Sequence, residues 1–157
     1  YERQHQPAAE SGFFNQWLQM RLTSRFHYDN GRSKDAKRVI LLSSNNKETS
    51  LMLIGNMIVS QGYQALFFGN LLPLDQIIQV IEKSAAKAVL IMPNKEQMHL
   101  LKKSKILEQI NVPAFIFGNL KKNVIAQTEF SDAVFLGDNK AIAVNTFRSQ
   151  MLNRYHD

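Results

Sequence analysis

The chain has 157 residues, enough for one well-buried core and too few for two comfortable ones. Hydrophobic residues make up 45% and charged residues 20%, a globular balance rather than a disordered or fibrous one. With no cysteine, a disulfide framework, a thiolate metal site and a cysteine nucleophile are excluded, while a net charge of +6 permits attraction to nucleic acid or anionic lipid without requiring it.

The basic residues are scattered, with small clusters at Lys102, Lys103 and Lys105 and at Lys121 and Lys122. No aromatic residues are interleaved with them as a base-stacking platform would need, so they read as solvated faces. Apolar runs such as Val39 to Leu42 and Ala88 to Met92 are far too short to span a bilayer. No charged-then-apolar leader opens the chain, and the lack of cysteine suits a reducing compartment. A cytoplasmic protein with no membrane partner is therefore expected. A first residue of Tyr1 rather than Met points to a fragment or processed product of a longer chain.

In chain order, residues 1–35 are expected to form a polar lead-in, a helix and a linker. Phe13, Phe14, Trp17, Leu18, Arg21, Leu22 and Arg25 fall at helical spacing, with Ser11 as the N-cap. The stretch from Asp29 to Asp35 has turn chemistry. Residues 36–157 then alternate short β-branched or aromatic runs with amphipathic segments, the pattern of βα units. Strands are predicted at Arg38 to Ser43, Gln64 to Phe68, Ala88 to Met92, Ala114 to Phe117 and Ala133 to Leu136. Helices are predicted at about Glu48 to Gln61, stopped by Gly62, then at Leu74 to Ser84, Lys95 to Ile110 and Lys140 to Tyr155. Leu120 to Asp132 reads as a short helix or an irregular loop.

Strands continuous in apolar residues require a sheet covered on both faces. The fold class is thus α/β, a doubly wound five-stranded parallel sheet of the flavodoxin-like kind, ordered 2-1-3-4-5, with an N-terminal helical lead-in. In such a sheet the ligand crevice lies beyond the carboxyl ends of the strands, where the strand order switches. The candidate ligand-binding residues are accordingly Asn45, Asn46, Lys47, Gly69, Asn70, Asn94, Gly118 and Asn119.

The first of these loops, Ser43-Ser44-Asn45-Asn46-Lys47-Glu48, has no glycine, which excludes both a Walker loop and a dinucleotide fingerprint. It also lacks the carboxylates that a phosphoacceptor domain needs for its divalent cation. None of His5, His27, His99 and His156 falls on a strand-end loop beside a serine or carboxylate, so no catalytic residue is assigned and an enzyme is not expected. Glu48 and Asp75 read as first-turn helix charges.

One long segment is more specific. It contains Asn45-Asn46-Lys47-Glu48-Thr49-Ser50-Leu51, Gly62-Tyr63-Gln64-Ala65-Leu66-Phe67-Phe68-Gly69 and Asn70-Leu71-Leu72-Pro73-Leu74-Asp75. Together with Val112-Pro113-Ala114-Phe115-Ile116-Phe117-Gly118 and Phe135-Leu136-Gly137-Asp138, it resembles the cobalamin-binding domain family, and within it the sensor domains of MerR-type transcription regulators. The resemblance covers roughly Arg38 to Tyr155. It implies a sensory or regulatory function, with Trp17 on the end of a helical bundle that caps the ligand, and DNA contacted through a domain preceding Tyr1. Self-association or a protein partner is expected, because Phe13, Phe14 and Trp17 on an isolated helix need a surface to bury them.

Members that bind cobalamin usually carry Asp-x-His-x-x-Gly after the first strand, and those positions fall here on Asn45, Lys47 and Ser50. Cationic lysine has no free lone pair and cannot replace imidazole at cobalt. The family's serine after the third strand corresponds to the neighbourhood of Met92 and Pro93, and its paired glycines after the fourth become Gly118-Asn119. Cobalamin is therefore not expected in the histidine-ligated mode, and the cofactor is left unassigned. Two alternatives stand beside this one. The first is a haem or other tetrapyrrole sensor with His27 or His99 as axial ligand. The second is a small-molecule enzyme or carrier subunit in which Asn45, Lys47 and Asn94 bind a phosphate or carboxylate, with Lys47 at a helix N-terminus.

Overall fold

The computed structural model describes residues 35–43, 48–68, 73–118 and 133–155, together with residues 13, 14, 16–18, 20, 21 and 24 of the lead-in. Strands β1 (Arg38–Ser43), β2 (Gln64–Phe68), β3 (Ala88–Met92), β4 (Ala114–Phe117) and β5 (Ala133–Gly137) form one five-stranded sheet in the order β2-β1-β3-β4-β5. Every neighbouring pair is parallel. The order and direction are those of a doubly wound, flavodoxin-like domain.

The alternation of side chains along each strand divides the core in two. Val39 and Leu41 of β1, with Ala88, Leu90 and Met92 of β3, meet α1 (Glu48–Ser60) and α5 (Lys140–Arg154) on one face. On the other face, Ile40, Leu42, Val89 and Ile91 meet α2 (Leu74–Ser84), α3 (Lys95–Ser104) and α4 (Ile106–Gln109). β1 and β3, central and buried on both sides, are apolar from Val39 to Leu42 and from Ala88 to Met92 for this reason. An aromatic stack fixes α5 to the sheet, since Phe147 meets Phe115 edge-on at 4.8 Å and Tyr63 at 5.3 Å between ring centroids.

The helix expected from Lys95 to Ile110 is two helices. α3 ends at Lys105, which takes the left-handed conformation at φ 51°, and α4 begins at Ile106. The reason is helical phase. Met98 and Leu101 face the core, and an unbroken helix would have carried Ile106 and Leu107 around to the solvent side. The turn at Lys105 returns both to the second cluster, where they are buried. β5 also runs one residue beyond its predicted end, to Gly137.

At the amino edge of the sheet the approach to β1 is tied to the end of α5. Lys37 Nζ donates to the Tyr155 carbonyl at 3.3 Å and lies 5.2 Å from the centroid of the Tyr155 ring. Arg38 donates to Gln64 Oε1 at 3.0 Å and to the Ser84 carbonyl at 2.9 Å, which anchors β1 to β2 and to the end of α2.

Candidate functional site

In a sheet of this topology the ligand crevice lies beyond the carboxyl ends of the strands. β1 ends in Ser43, which is fully buried and is paired in register with Met92 of β3. Met92 and Pro93 are buried as well, so an apolar floor closes the end of β3 at the switch point. Asn94 follows, exposed on the rim. It is the N-cap of α3: its side chain accepts from the Gln97 N–H at 2.8 Å, and Gln97 Oε1 accepts from the Asn94 N–H at 3.1 Å. This reciprocal pair is a capping box. The carbonyl oxygen of Asn94 is engaged in the helix cap, and its amide nitrogen is the part of the side chain that a ligand would meet.

Two glycines form the other half of the described rim. Gly118, at φ 147°, donates its N–H to the Gly137 carbonyl at 2.9 Å. Gly137 sits at φ 73°, and a Cβ placed there would meet nothing within 4 Å. A register shift precedes them, with Phe115 opposite Val134, Ile116 opposite Phe135, and then Phe117 opposite Gly137. The extra residue, Leu136, is a bulge that turns its side chain into the core beside α5. Exposed Gly137 therefore presents bare backbone where β5 leaves the sheet. Asn139 lies next to it and caps α5, accepting from the Ile142 N–H at 3.1 Å. Two carboxylates of this edge, Glu96 and Asp138, are exposed.

Of the candidate residues, the structure thus brings Asn94 and Gly118 to the carboxyl edge. Asn45, Asn46, Lys47, Gly69, Asn70, Asn119 and His27 lie outside the described residues, as do Ser11 and the stretch from Leu120 to Asp132. Trp17 is on a helical stretch, 45% exposed, 6.1 Å from the Phe14 ring and 5.5 Å from the Arg21 guanidinium. His99 stands exposed on α3, whose buried residues are Met98 and Leu101. Gly137 and Asn139 were not among the candidate ligand-binding residues. Asn139 was recoverable as an N-cap immediately before a predicted helix, and Asn94 as the start of an Asn-x-x-Gln capping box.

At the opposite, amino edge an open depression of about 350 Å³ is lined by Asp35, Ala36, Lys37, Gly62 and Tyr63. Burial pushes the Tyr63 phenol above its ordinary range, and the nearby Arg148 charge opposes that shift. Among the described residues no group of three or more histidine, aspartate or glutamate side chains is placed to hold a metal ion. None of the described helices is long and apolar enough to cross a membrane.

The order and direction of the strands define a flavodoxin-like α/β domain. Models of known protein families give no match to the chain. No curated protein matches it in sequence either.

Proposed function

We propose that this domain is a sensory or regulatory module of a transcription regulator, cytoplasmic, acting by ligand or protein binding rather than by catalysis. The character of the crevice rim supports this reading. Among the described residues Asn94, Gly118, Gly137 and Asn139 offer side-chain amides and bare backbone. Such groups hold a ligand by hydrogen bonding, but they neither take nor release a proton near neutral pH as acid–base catalysis requires.

The family that the chain resembles binds cobalamin, and the residues present do not fit that cofactor in its histidine-ligated mode. Lys47 stands where the cobalt ligand would be. An ammonium group has no lone pair to give. Buried Met92 and Pro93 fill the end of β3 where the family has a small serine. The module is thus a regulatory domain that keeps the sensor's fold and has exchanged its ligand set for another ligand or for a protein contact.

The test is visible absorption of the full chain titrated with hydroxocobalamin and, separately, with haem, each followed by gel filtration. The expected spectra are sums of the components, with neither tetrapyrrole retained through a side chain. Coelution with a shifted spectrum that His27→Ala or His99→Ala abolishes would overturn the proposal.

A further inference from the structure

The charge of the domain is polarised along its strands. In a doubly wound sheet every strand starts, and every crossover helix ends, at the amino edge. That edge carries Lys37 and Arg38 at the start of β1 and Lys87 before β3. The ends of the helices add Lys83 on α2, Lys102 and Lys103 on α3, the Lys105 cap and Arg154 on α5. Among the described residues these eight cations face three carboxylates, Asp35, Glu82 and Glu108, and all but Lys37 are exposed. The excess of five compares with a net charge of +6 for the whole chain. The described carboxyl edge has the opposite balance, with Lys95 and Lys140 against Glu48, Asp75, Glu96 and Asp138.

Cations in a last helical turn are favoured by the helix dipole, which accounts for some of them. It accounts for Arg38 too, which donates to the Ser84 carbonyl at the end of α2, but not for Lys87, which belongs to no helix. Nor does it account for a lysine at Lys105, where the left-handed backbone costs a non-glycine residue about 1 kcal/mol.

We propose that the amino edge of the sheet is a docking surface for the phosphate backbone of duplex DNA. Neighbouring strands lie about 4.8 Å apart and helices cover both faces, so the cations span roughly 20 Å or more. That breadth exceeds a single phosphate group and suits a row of phosphates. The cations are mostly lysines, point charges that bind phosphate without reading sequence. A membrane surface is the less favoured partner, because of the three exposed large apolar side chains of the described sheet domain a single one, Leu152 in the last turn of α5, belongs to this edge, while Leu100 and Ile142 do not. The proposal stands apart from the crevice, since an edge that fails to bind DNA leaves the ligand reading intact, and the reverse also holds.

The test uses the full chain and a fluorescein-labelled duplex of arbitrary sequence, read by anisotropy over a series of salt concentrations. Each phosphate neutralised contributes about −0.9 to the slope of log affinity against log salt, so a slope of roughly −3 to −5 is expected. The variant K83Q/K102Q/K103Q should weaken binding about tenfold or more and flatten the slope by roughly 2 to 3, whereas K95Q/K140Q at the opposite edge should change neither. Equal losses in the two variants, no binding by the parent chain, or tighter binding to phosphatidylserine vesicles than to the duplex would each overturn the proposal. Should the triple variant fail to fold, lysine acetylation of the parent chain gives an independent readout. Lys83, Lys87, Lys102, Lys103 and Lys105 should be protected by DNA while Lys95 and Lys140 are not, and the opposite pattern would refute the assignment.

Discussion

The Tyr155 hydroxyl donates to the Lys87 carbonyl at 2.9 Å, joining the end of the last helix to the residue before β3 across 68 positions of sequence. Lys37 completes the tie by donating to the Tyr155 carbonyl and approaching its ring. Tyr155→Phe removes only the exposed hydrogen bond and should cost about 0.5–1 kcal/mol. Tyr155→Ala also removes the ring that packs against the first core cluster and should cost about 2–4 kcal/mol. Urea denaturation of the two variants measures the difference.

Phe147 is fully buried between Phe115 and Tyr63. Its replacement by alanine should cost about 3–5 kcal/mol, combining lost transfer energy with an unfilled cavity. Since a domain of this size is stable by about 5–15 kcal/mol, the alanine variant should unfold at markedly lower urea, and Phe147→Leu should fall between the two.

Two residues other than glycine occupy the left-handed region, Ala85 at the end of α2 and Lys105 at the end of α3, both at φ 51°. Glycine accepts that conformation without a Cβ clash. Ala85→Gly should therefore stabilise the domain by about 0.5–1 kcal/mol, net of the greater chain entropy of glycine. Calorimetry should record a rise in Tm of roughly 1–4 °C. A fall would mean that the position is not left-handed in solution.

Asn94 separates a capping role from a ligand role. Asn94→Ala should cost about 1 kcal/mol by removing the acceptor for the Gln97 N–H. Asn94→Asp keeps that acceptor and should leave stability within about 0.5 kcal/mol, because aspartate caps as well as asparagine. Equal destabilisation by both, measured as urea midpoints, would rule out the capping box.

Tyr63 sets an alkaline limit. Its folded-state pKa is raised by burial above the ordinary value of 10.0. The folded chain then holds this proton where the unfolded chain has released it. Stability is unaffected below about pH 10 and falls as pH climbs from there through the folded value. Tyr63→Phe should remove that part of the decline. The check is the difference in urea midpoint between parent and variant at pH 9 and at about pH 11, with other groups common to both.

β1, β3 and β4 were legible because they are buried on both faces, so their apolar runs have no polar interruption. Their order followed from crossover length and handedness. Gly62 was legible as a helix stop, and it does sit at φ 92°. The break at Lys105 was hidden by a composition of good helix formers. Its only trace is the step of five from Leu101 to Ile106, which breaks the helical period. The bulge at Leu136 left no local signal, because it depends on the pairing with β4 rather than on the residues of β5 alone. For the site, the edge on which ligands gather followed from topology, while the rim itself did not. Asn94 was readable as a ligand or as a cap, and the hydrogen bonds to Gln97 establish the cap.

The most direct test of the functional account is electron paramagnetic resonance of cob(II)alamin mixed with the full chain, prepared once with ordinary histidine and once with nitrogen-15 histidine. On the proposal that Lys47 replaces a cobalt-coordinating imidazole, the two spectra should be identical, and any nitrogen splitting should come from the cofactor's own base. A change of the splitting from triplet to doublet in the labelled sample would place a histidine of this chain on cobalt and contradict the account.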